Sequence, residues 1–509
     1  MRREAIIGLD LGNFFAQPIY IEGLDPVRRT GGVVYDLVDL SSSTPYGIPS
    51  AFFYSKKRGI LIGAEAARAV PKANCVRYLK RDLFKNGKPN SKTIDGKEFT
   101  YQEMILAVAQ YAIRSAAQQL DRTLHIKTNM VALAYPASMS SFVKNYLVSI
   151  IEQVTLEDGT NVEIYGTIAE PAAAALDYLA VSNITNDDTA LVADLGAGTF
   201  DVSIVKAYPN GRQHSDGSTY YYDVKFTDGI EDLGGKEFDE IVKKILIRKA
   251  GAFGNDPRIL SSIESCAEST KRELTTSKRF QPDIILNDGS YIDEITLEEF
   301  EQESAEELER ILKMVEQTIN TNTDITIDHI ILTGGASQMP MIERSFKERF
   351  PQYADKIAFH MPSKAIASGA ARFAVRESNP VVLRTIRDIG SDFYVDANDK
   401  KGFIRTYVPA GTQIPVTSEW MPGYKLTASD KTHFGIYEAK ISSPDTNNIA
   451  RDYQYVHDHN HRHGQERPVG YKTLSRIVID EKHLAYLEVQ EPDNPSMGIV
   501  RYPFTIDFE

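Results

Sequence analysis

Twice in this chain a short apolar run ends in Asp-Leu-Gly. The first is Gly8-Leu-Asp-Leu-Gly12 and the second is Val192-Ala-Asp-Leu-Gly196, with Asp10 and Asp194 lying 184 residues apart. Ala5–Leu9 and Thr189–Ala193 have the composition of buried strands that run into glycine turns. The repeat reads as a duplicated half with one phosphate turn in each copy. Three residues recur by chance, so the reading needs support from elsewhere in the chain.

The second copy continues as Asp194-Leu-Gly196-Ala-Gly198-Thr199-Phe-Asp201. Small residues let backbone N–H groups approach phosphate oxygens, and Thr199 adds a hydroxyl. Asp194 and Asp201 would repel phosphate. They make sense with Mg²⁺ between them and the phosphates, held partly through water. Taken alone, the segment is equally a hairpin turn that uses glycine for geometry. There is no Walker A sequence, and the turn lacks the third glycine of a dinucleotide fingerprint.

Around these turns the chain alternates strand-like and helix-like segments. Met104–Leu120 has helical periodicity, and Thr296-Leu-Glu-Glu299 has the form of a capping box. Phe300, Leu308, Ile311, Leu312, Val315 and Ile319 follow on one stripe. This mixture predicts an α/β domain over 1–377. Asn379-Pro380 breaks the pattern, and 378–389 reads as a linker containing Val381-Val382-Leu383. The 120 residues 390–509 then read as a β-rich domain. Its expected strands are Asp392–Val395, Phe403–Val408, Arg476–Ile479, Tyr486–Val489 and Ile499–Phe508.

Hydrophobic residues make up 42% of the chain, enough for sizeable cores, and the net charge of −13 disfavours a nucleic-acid or anionic-membrane binder. Cys75 and Cys266 are too few for a disulfide scaffold. The apolar N-terminal stretch is interrupted by Asp10, too early for a signal peptide, and no run is long enough to span a membrane. A soluble, cytoplasmic protein is expected.

Further elements surround the phosphate turn in order. Gly166-Thr-Ile-Ala-Glu170-Pro171 precedes it. Leu233-Gly234-Gly235-Lys236-Glu237-Phe238-Asp239, Glu268-Ser-Thr-Lys271-Arg272-Glu-Leu-Thr275, Leu332-Thr333-Gly334-Gly335-Ala336-Ser337 and Pro362–Gly369 follow it. Over about residues 4–377 this ordered set resembles the nucleotide-binding domain of the 70-kDa heat-shock chaperone family. That domain belongs to the actin-like (ribonuclease H-like) ATPase superfamily. The remainder resembles the family's β-sandwich peptide-binding domain, with Thr406–Pro415 near its start. The resemblance therefore implies a duplicated actin-like ATPase domain followed by a β-rich, sandwich-like domain.

It also implies roles. Asp10 and Asp194 would organise Mg²⁺ through its waters. Gly12, Asn13, Gly196 and Gly198 would offer donors to the phosphates, Thr199 would touch the γ-phosphate, and Glu170 and Asp201 would position the attacking water. Glu268, Lys271, Arg272 and Thr275 would form one wall of an adenosine site. Gly334, Gly335, Ser337 and Gln338 would form the other, with Gly234 and Gly235 nearby. Read without the resemblance, Lys271 and Arg272 are a solvated helix face and Gly334-Gly335 is a turn.

The sequence departs from the family in places. Asn13 and Phe14 stand where the family has two threonines, and phenylalanine cannot bond phosphate. The family's lysine falls near Gly63–Lys72, where Arg68 fits the local pattern best and Lys72 is the alternative. Gln338 replaces an arginine that stacks on adenine, and Ser363 replaces an aspartate. A divergent member lacking the family's helical lid is expected. ATP/ADP binding with slow hydrolysis, or binding alone, is therefore the expectation.

His457, His459, His461 and His463 stand at alternate positions. On a strand they would share one face and could bind a transition metal. A polar hairpin loop, or a loop whose histidines charge together near pH 6, remains open. Two functional classes lead. One is an ATP-driven chaperone for unfolded or extended peptides, aided by a J-domain co-chaperone and a nucleotide exchange factor. The other is a nucleotide-gated scaffold for one protein client. A small-molecule kinase and a filament-forming actin relative fit less well.

Overall fold

The structure is a computed structural model. It describes residues 5–12, 15–22, 34–36, 47–85, 88–139, 141–182, 186–213, 219–360, 364–374, 381–382, 384–385, 387–394, 402–414, 416–439, 444–479 and 485–504. Asn13, Phe14, Ser363, much of the expected linker and the end of the last expected strand lie outside the described residues. The chain divides into two compact units. One comprises 1–139, 147–222 and 227–380, and the other 140–146, 223–226 and 381–509.

In the first unit the first Asp-Leu-Gly lies on β1 (Ala5–Leu11), two residues longer than its apolar run suggests. Ile6, Ile7, Leu9 and Leu11 are all buried. Burial on both faces is why the strand reads as a continuous apolar run rather than an alternation. β1 pairs antiparallel with β2 (Phe15–Glu22), which pairs with β3 (Val34–Asp36). On its other side β1 runs parallel to β4 (Met130–Tyr135), and β4 runs parallel to β5 (Glu163–Ala169).

A second sheet has the same plan. β6 (Asp188–Leu195) carries the second Asp-Leu-Gly. It pairs antiparallel with β7 (Phe200–Gln213), beside which lies β8 (Thr219–Ile230). On the other side β6 runs parallel to β9 (His329–Thr333), and β9 parallel to β10 (Ile357–Phe359).

Helices occupy the connections. α1 (Tyr101–Leu124) starts with a capping box between Thr100 and Glu103 and includes the expected Met104–Leu120. α2 (Glu170–Val181) begins with Pro171 in its first turn, where a missing N–H costs nothing. α3 (Gly235–Lys249) and α4 (Pro257–Glu273) follow β8. The stripe expected from Thr296 onward is split in two. α5 (Leu297–Glu303) is capped by Thr296 and ends at Ser304, and α6 (Ala305–Thr321) then begins. Ser304 is buried and its hydroxyl donates to the Phe300 carbonyl, a local bond that competes with helix propagation.

α7 (Ala365–Ala374) is buried along its whole length. It crosses α2 at a contact so close that a Cβ on Gly369 would lie 1.7 Å from the Ala173 carbonyl oxygen. Only glycine fits there. Buried Asp177 of α2 fastens the crossing, accepting from Arg372 Nε (2.8 Å), His360 Nε2 (2.9 Å) and the Ser368 hydroxyl. Burial alone would raise its pKa, but these bonds and the Arg372 charge hold it below the usual value.

The second unit is built mainly from antiparallel strands. One sheet runs β12 (Phe403–Val408), β11 (Ile389–Phe393), β15 (Ser429–Ala439), β16 (Tyr453–Arg467). The other runs β13 (Val416–Thr417), β17 (Lys472–Ile479), β18 (Ala485–Gln490), β19 (Ile499–Phe504), with β14 (Met421–Tyr424) also pairing with β17. The long β15–β16 hairpin was not expected, because its strands are polar on the open side and carry no continuous apolar run.

All four alternate histidines lie on β16, so the loop reading is corrected. Nor do they charge together near pH 6. Burial pushes His459 down to about 4 and holds His461 below its ordinary value. His461 and His463 are buried with Glu491. Burial would raise Glu491, but hydrogen bonds from Tyr471, His463, His461 and Asn494 outweigh it and bring the carboxyl down to about 2.

Candidate functional site

The strand plan places Asp10 near the end of β1 and Asp194 near the end of β6. Around them opens a cleft of about 560 Å³ within the first unit. Gly12 continues the β1 end. Gly196, Ala197, Gly198 and Thr199 form the β6–β7 turn, closed by the Gly196 N–H donating to the Thr199 carbonyl (3.1 Å). The first turn of α3 holds that turn: the Gly235 and Lys236 N–H groups donate to the carbonyls of Gly196 (2.9 Å) and Ala197 (2.8 Å). Unpaired amides at a helix start are thereby satisfied. Glu237 secures the same end by accepting from the Gly234 N–H at 2.8 Å.

Beyond β9, Gly334 has φ 82°, a left-handed value open to glycine, and a Cβ there would lie 2.4 Å from Asp194 Oδ1. Gly334, Gly335 and Gln338 line this side of the cleft. Glu268, Lys271, Arg272 and Thr275 line another. Lys271 is no solvated helix residue. It is buried, ion-paired to Asp239 at 2.7 Å and bonded to the Gly235 carbonyl at 2.8 Å. Arg272 is half-exposed, with Glu268 3.4 Å away.

The electrostatics are one-sided. Glu170, at the start of α2, is buried and accepts from buried Lys80 at 2.6 Å. Asp10 Oδ1, Asp194 Oδ1 and Asp201 Oδ2 are buried, and among the described residues no hydrogen bond reaches them. Burial raises Asp10 to about 7, Glu170 adds to the rise and Lys80 opposes it. Asp194 is raised by burial and by Glu170, Asp201 and Asp10. Asp201 is raised to about 7 by burial and Glu170, although the Thr199 and Ser138 hydrogen bonds pull the other way. Four buried carboxylates thus face one lysine. Such a set is costly unless a further cation joins it, and hard oxygen donors suit Mg²⁺.

The cleft gathers most of the residues that the sequence singled out. Gly234, Ser337 and Asp201 stand behind its wall rather than on it. Ser337 donates to the Gly334 carbonyl (2.7 Å), and Asp201 accepts from the Ser138 N–H (2.9 Å). Asn13 lies outside the described residues.

Neither candidate for the family's lysine lines the cleft. Arg68 ends a short helix, Gly63–Arg68, and does not line the cleft. Lys72 donates to the Ala67 carbonyl at 2.6 Å. Lys80 lines the cleft, ion-paired with Glu170. Sequence reasoning missed Lys80 and Tyr78 because the chain between Arg68 and Lys80 is irregular and defeats local spacing, and it missed Asp239 because helix spacing does not show its pairing with Lys271. The one available signal was a lysine set between the apolar Leu79 and Leu83.

An Hsp70 protein family model matches residues 159–442, more than half of the chain. The chain belongs to the Hsp70 family. Hsp70 proteins are nucleotide-binding ATPases that generally use ATP or ADP with Mg²⁺ and act as chaperones. The matched span of this Hsp70 chain includes the second sheet, the β6–β7 turn and the wall formed by α3 and α4. Among its described residues no helix is long and apolar enough to cross a membrane.

Proposed function

We propose that this Hsp70-family chain binds ATP and ADP with Mg²⁺ in the cleft, hydrolyses ATP slowly, and uses its nucleotide state to set the affinity of the second unit for extended peptide. The observation that carries the reading is the set of buried, unpartnered carboxylate oxygens of Asp10, Asp194 and Asp201 beside a glycine turn. Excess negative charge beside a turn of small residues suits a metal–phosphate pair.

Asp10 and Asp194 would hold the hydrated ion. Bound there, Mg²⁺ would supply neutralisation of phosphate charge. The Gly12 and Gly198 turns and the Thr199 hydroxyl would bind the β- and γ-phosphates, while the Gly196 N–H closes the turn on the Thr199 carbonyl. Lys80, oriented by Glu170, would present a compact positive charge to the transferring group. Glu170, on the cleft wall, would orient the attacking water, and Asp201, behind the wall, would act on it only through its charge. Glu268, Lys271, Arg272 and Thr275 would flank the nucleoside on one side and Gly334, Gly335 and Gln338 on the other.

The test is isothermal titration with ATP, ADP and Mg²⁺, joined to single-turnover hydrolysis of wild type, Asp194→Asn and Lys80→Ala. Saturable binding with slow hydrolysis lost in both variants supports the reading, and nucleotide-dependent release of a fluorescent apolar peptide completes it. Binding without turnover supports the nucleotide-gated scaffold instead. No binding overturns both.

A further inference from the structure

Outside the cleft, the second unit holds a group of different donor chemistry. His461, His463 and Glu491 are all buried, and their ligand atoms lie within 4.8 Å of one another. His461 Nε2 is 3.0 Å and His463 Nδ1 2.8 Å from the same carboxylate oxygen, Glu491 Oε1. Alternate positions on β16 put both rings on one side of the strand, and Glu491 directly follows β18.

We propose that His461 Nε2, His463 Nδ1 and Glu491 Oε1 form a binding site for a first-row transition dication of the zinc class. Two imidazoles and a carboxylate are a common protein ligand set for Zn²⁺, with a fourth position left for water or another donor. Nitrogen donors select against Mg²⁺ and Ca²⁺. The groups behind the ligands are arranged as such a site requires. His461 Nδ1 lies 2.9 Å from the Tyr502 hydroxyl, and His463 Nε2 lies 2.8 Å from Thr432 Oγ1. Each hydroxyl can accept the ring N–H, which leaves the other nitrogen with its lone pair toward the ion. Glu491 Oε2 is engaged by Tyr471 (2.7 Å) and Arg467 (3.0 Å), so Oε1 is the oxygen left to coordinate.

Tetrahedral bonds of about 2.0–2.1 Å place ligand atoms about 3.3 Å apart, so the two nitrogen–oxygen separations need spread by only a few tenths of an ångström. Binding exchanges two N–H···O bonds to Oε1 for two metal–nitrogen bonds and one metal–oxygen bond.

The test uses the full chain, stripped with chelator and free of nucleotide. Zn²⁺ is titrated against a chromophoric chelator, and Co²⁺ is added in parallel as an optical probe. One ion should bind, and Co²⁺ should show the intense visible absorption of a four-coordinate nitrogen/oxygen site. His461→Gln and His463→Gln should each weaken binding more than about 100-fold. Tyr502→Phe, which keeps the ring, should weaken it by about 10-fold. His457→Gln, on the exposed part of the strand, should leave it unchanged. The proposal is overturned if wild type binds no stoichiometric Zn²⁺ or if Co²⁺ gives only the pale six-coordinate spectrum. It also falls if binding survives both histidine variants and disappears with Asp194→Asn, which would place the ion in the cleft. Because wild-type stoichiometry and spectrum decide by themselves, a histidine variant that fails to fold does not shield the idea.

Discussion

The two units each bury a cluster of ionised groups, and the clusters are opposites. In the first, Asp10, Glu170, Asp194 and Asp201 face one another with Lys80 as counterweight, and three carboxylate oxygens go without a hydrogen bond among the described residues. In the second, one carboxylate, Glu491, is surrounded by donors from His461, His463, Arg467, Tyr471 and Asn494. Taking a carboxylate out of water raises its pKa in both places, but at Glu491 the hydrogen bonds outweigh burial and the net shift is downward. What differs is the supply of donors. The under-supplied cluster is the one that a further cation would relieve. The well-supplied one holds the fold together whether or not an ion binds.

The comparison can be broken in several ways. The largest expected effect is on Glu491→Gln, which leaves Arg467 without its charge partner. Removing one member of a buried ion pair costs about 3–5 kcal/mol. Chemical denaturation should show the second unit unfolding at much lower denaturant, and an unchanged midpoint would mean that the cluster is ornamental.

Lys80→Ala comes next. Deleting one preorganised charge or donor from a reacting centre costs about 10²–10³-fold in rate. Single-turnover hydrolysis should fall by that factor, with nucleotide still bound.

The pH responses should then run in opposite directions. Asp10 and Asp201 titrate near 7 in the folded protein against 3.8 ordinarily. The native state therefore binds more protons between about pH 4 and 7, and their contribution to stability falls as pH rises through that window. Glu491, held at about 2 against 4.5, contributes stability that is lost as pH falls from about 4.5 toward 2. Thermal melts of nucleotide-free, chelator-treated protein should show the first trend, and Asp10→Asn should flatten it. A slope unchanged by that substitution would remove the electrostatic account of the cleft.

Gly334→Ala should cost about 1–3 kcal/mol from its left-handed backbone, and weaken nucleotide binding by crowding Asp194. Differential scanning fluorimetry with and without ADP separates the two effects. The smallest effect is expected for Arg68→Ala, which should leave hydrolysis within about twofold of wild type because Arg68 does not line the cleft. A loss comparable to that of Lys80→Ala would restore Arg68 as the active cation.

Much of the cleft was legible in advance because its residues act through short, contiguous peptide. Asp194–Asp201 is one turn, Gly334-Gly335 is another, and Glu170 heads a helix marked by Pro171. The helix boundary at Ser304 was not legible, since it depends on a buried serine choosing a carbonyl over solvent. Lys271 shows the limit of periodicity. Its place on a charged helix predicts exposure, yet Asp239, distant in sequence, draws it inside. Lys80 shows the same limit from the other side, because an irregular segment offers no register from which to count.

By itself, then, the sequence determined the α/β class of the first unit, the position of both Asp-Leu-Gly strand ends and the small-residue turns. Each of these follows from local polarity, backbone freedom and hydrogen-bonding type over a few residues. Only the tertiary structure decided which cation meets Glu170, which carboxylates remain unpaired, and that four alternating histidines lie on a paired strand with two of them closed around Glu491. Those outcomes depend on burial and on partners far apart in the chain, such as Lys80 and Glu170, 90 residues apart. The free energy of a buried charge is set by what surrounds it in space, and neighbours in sequence say little about that.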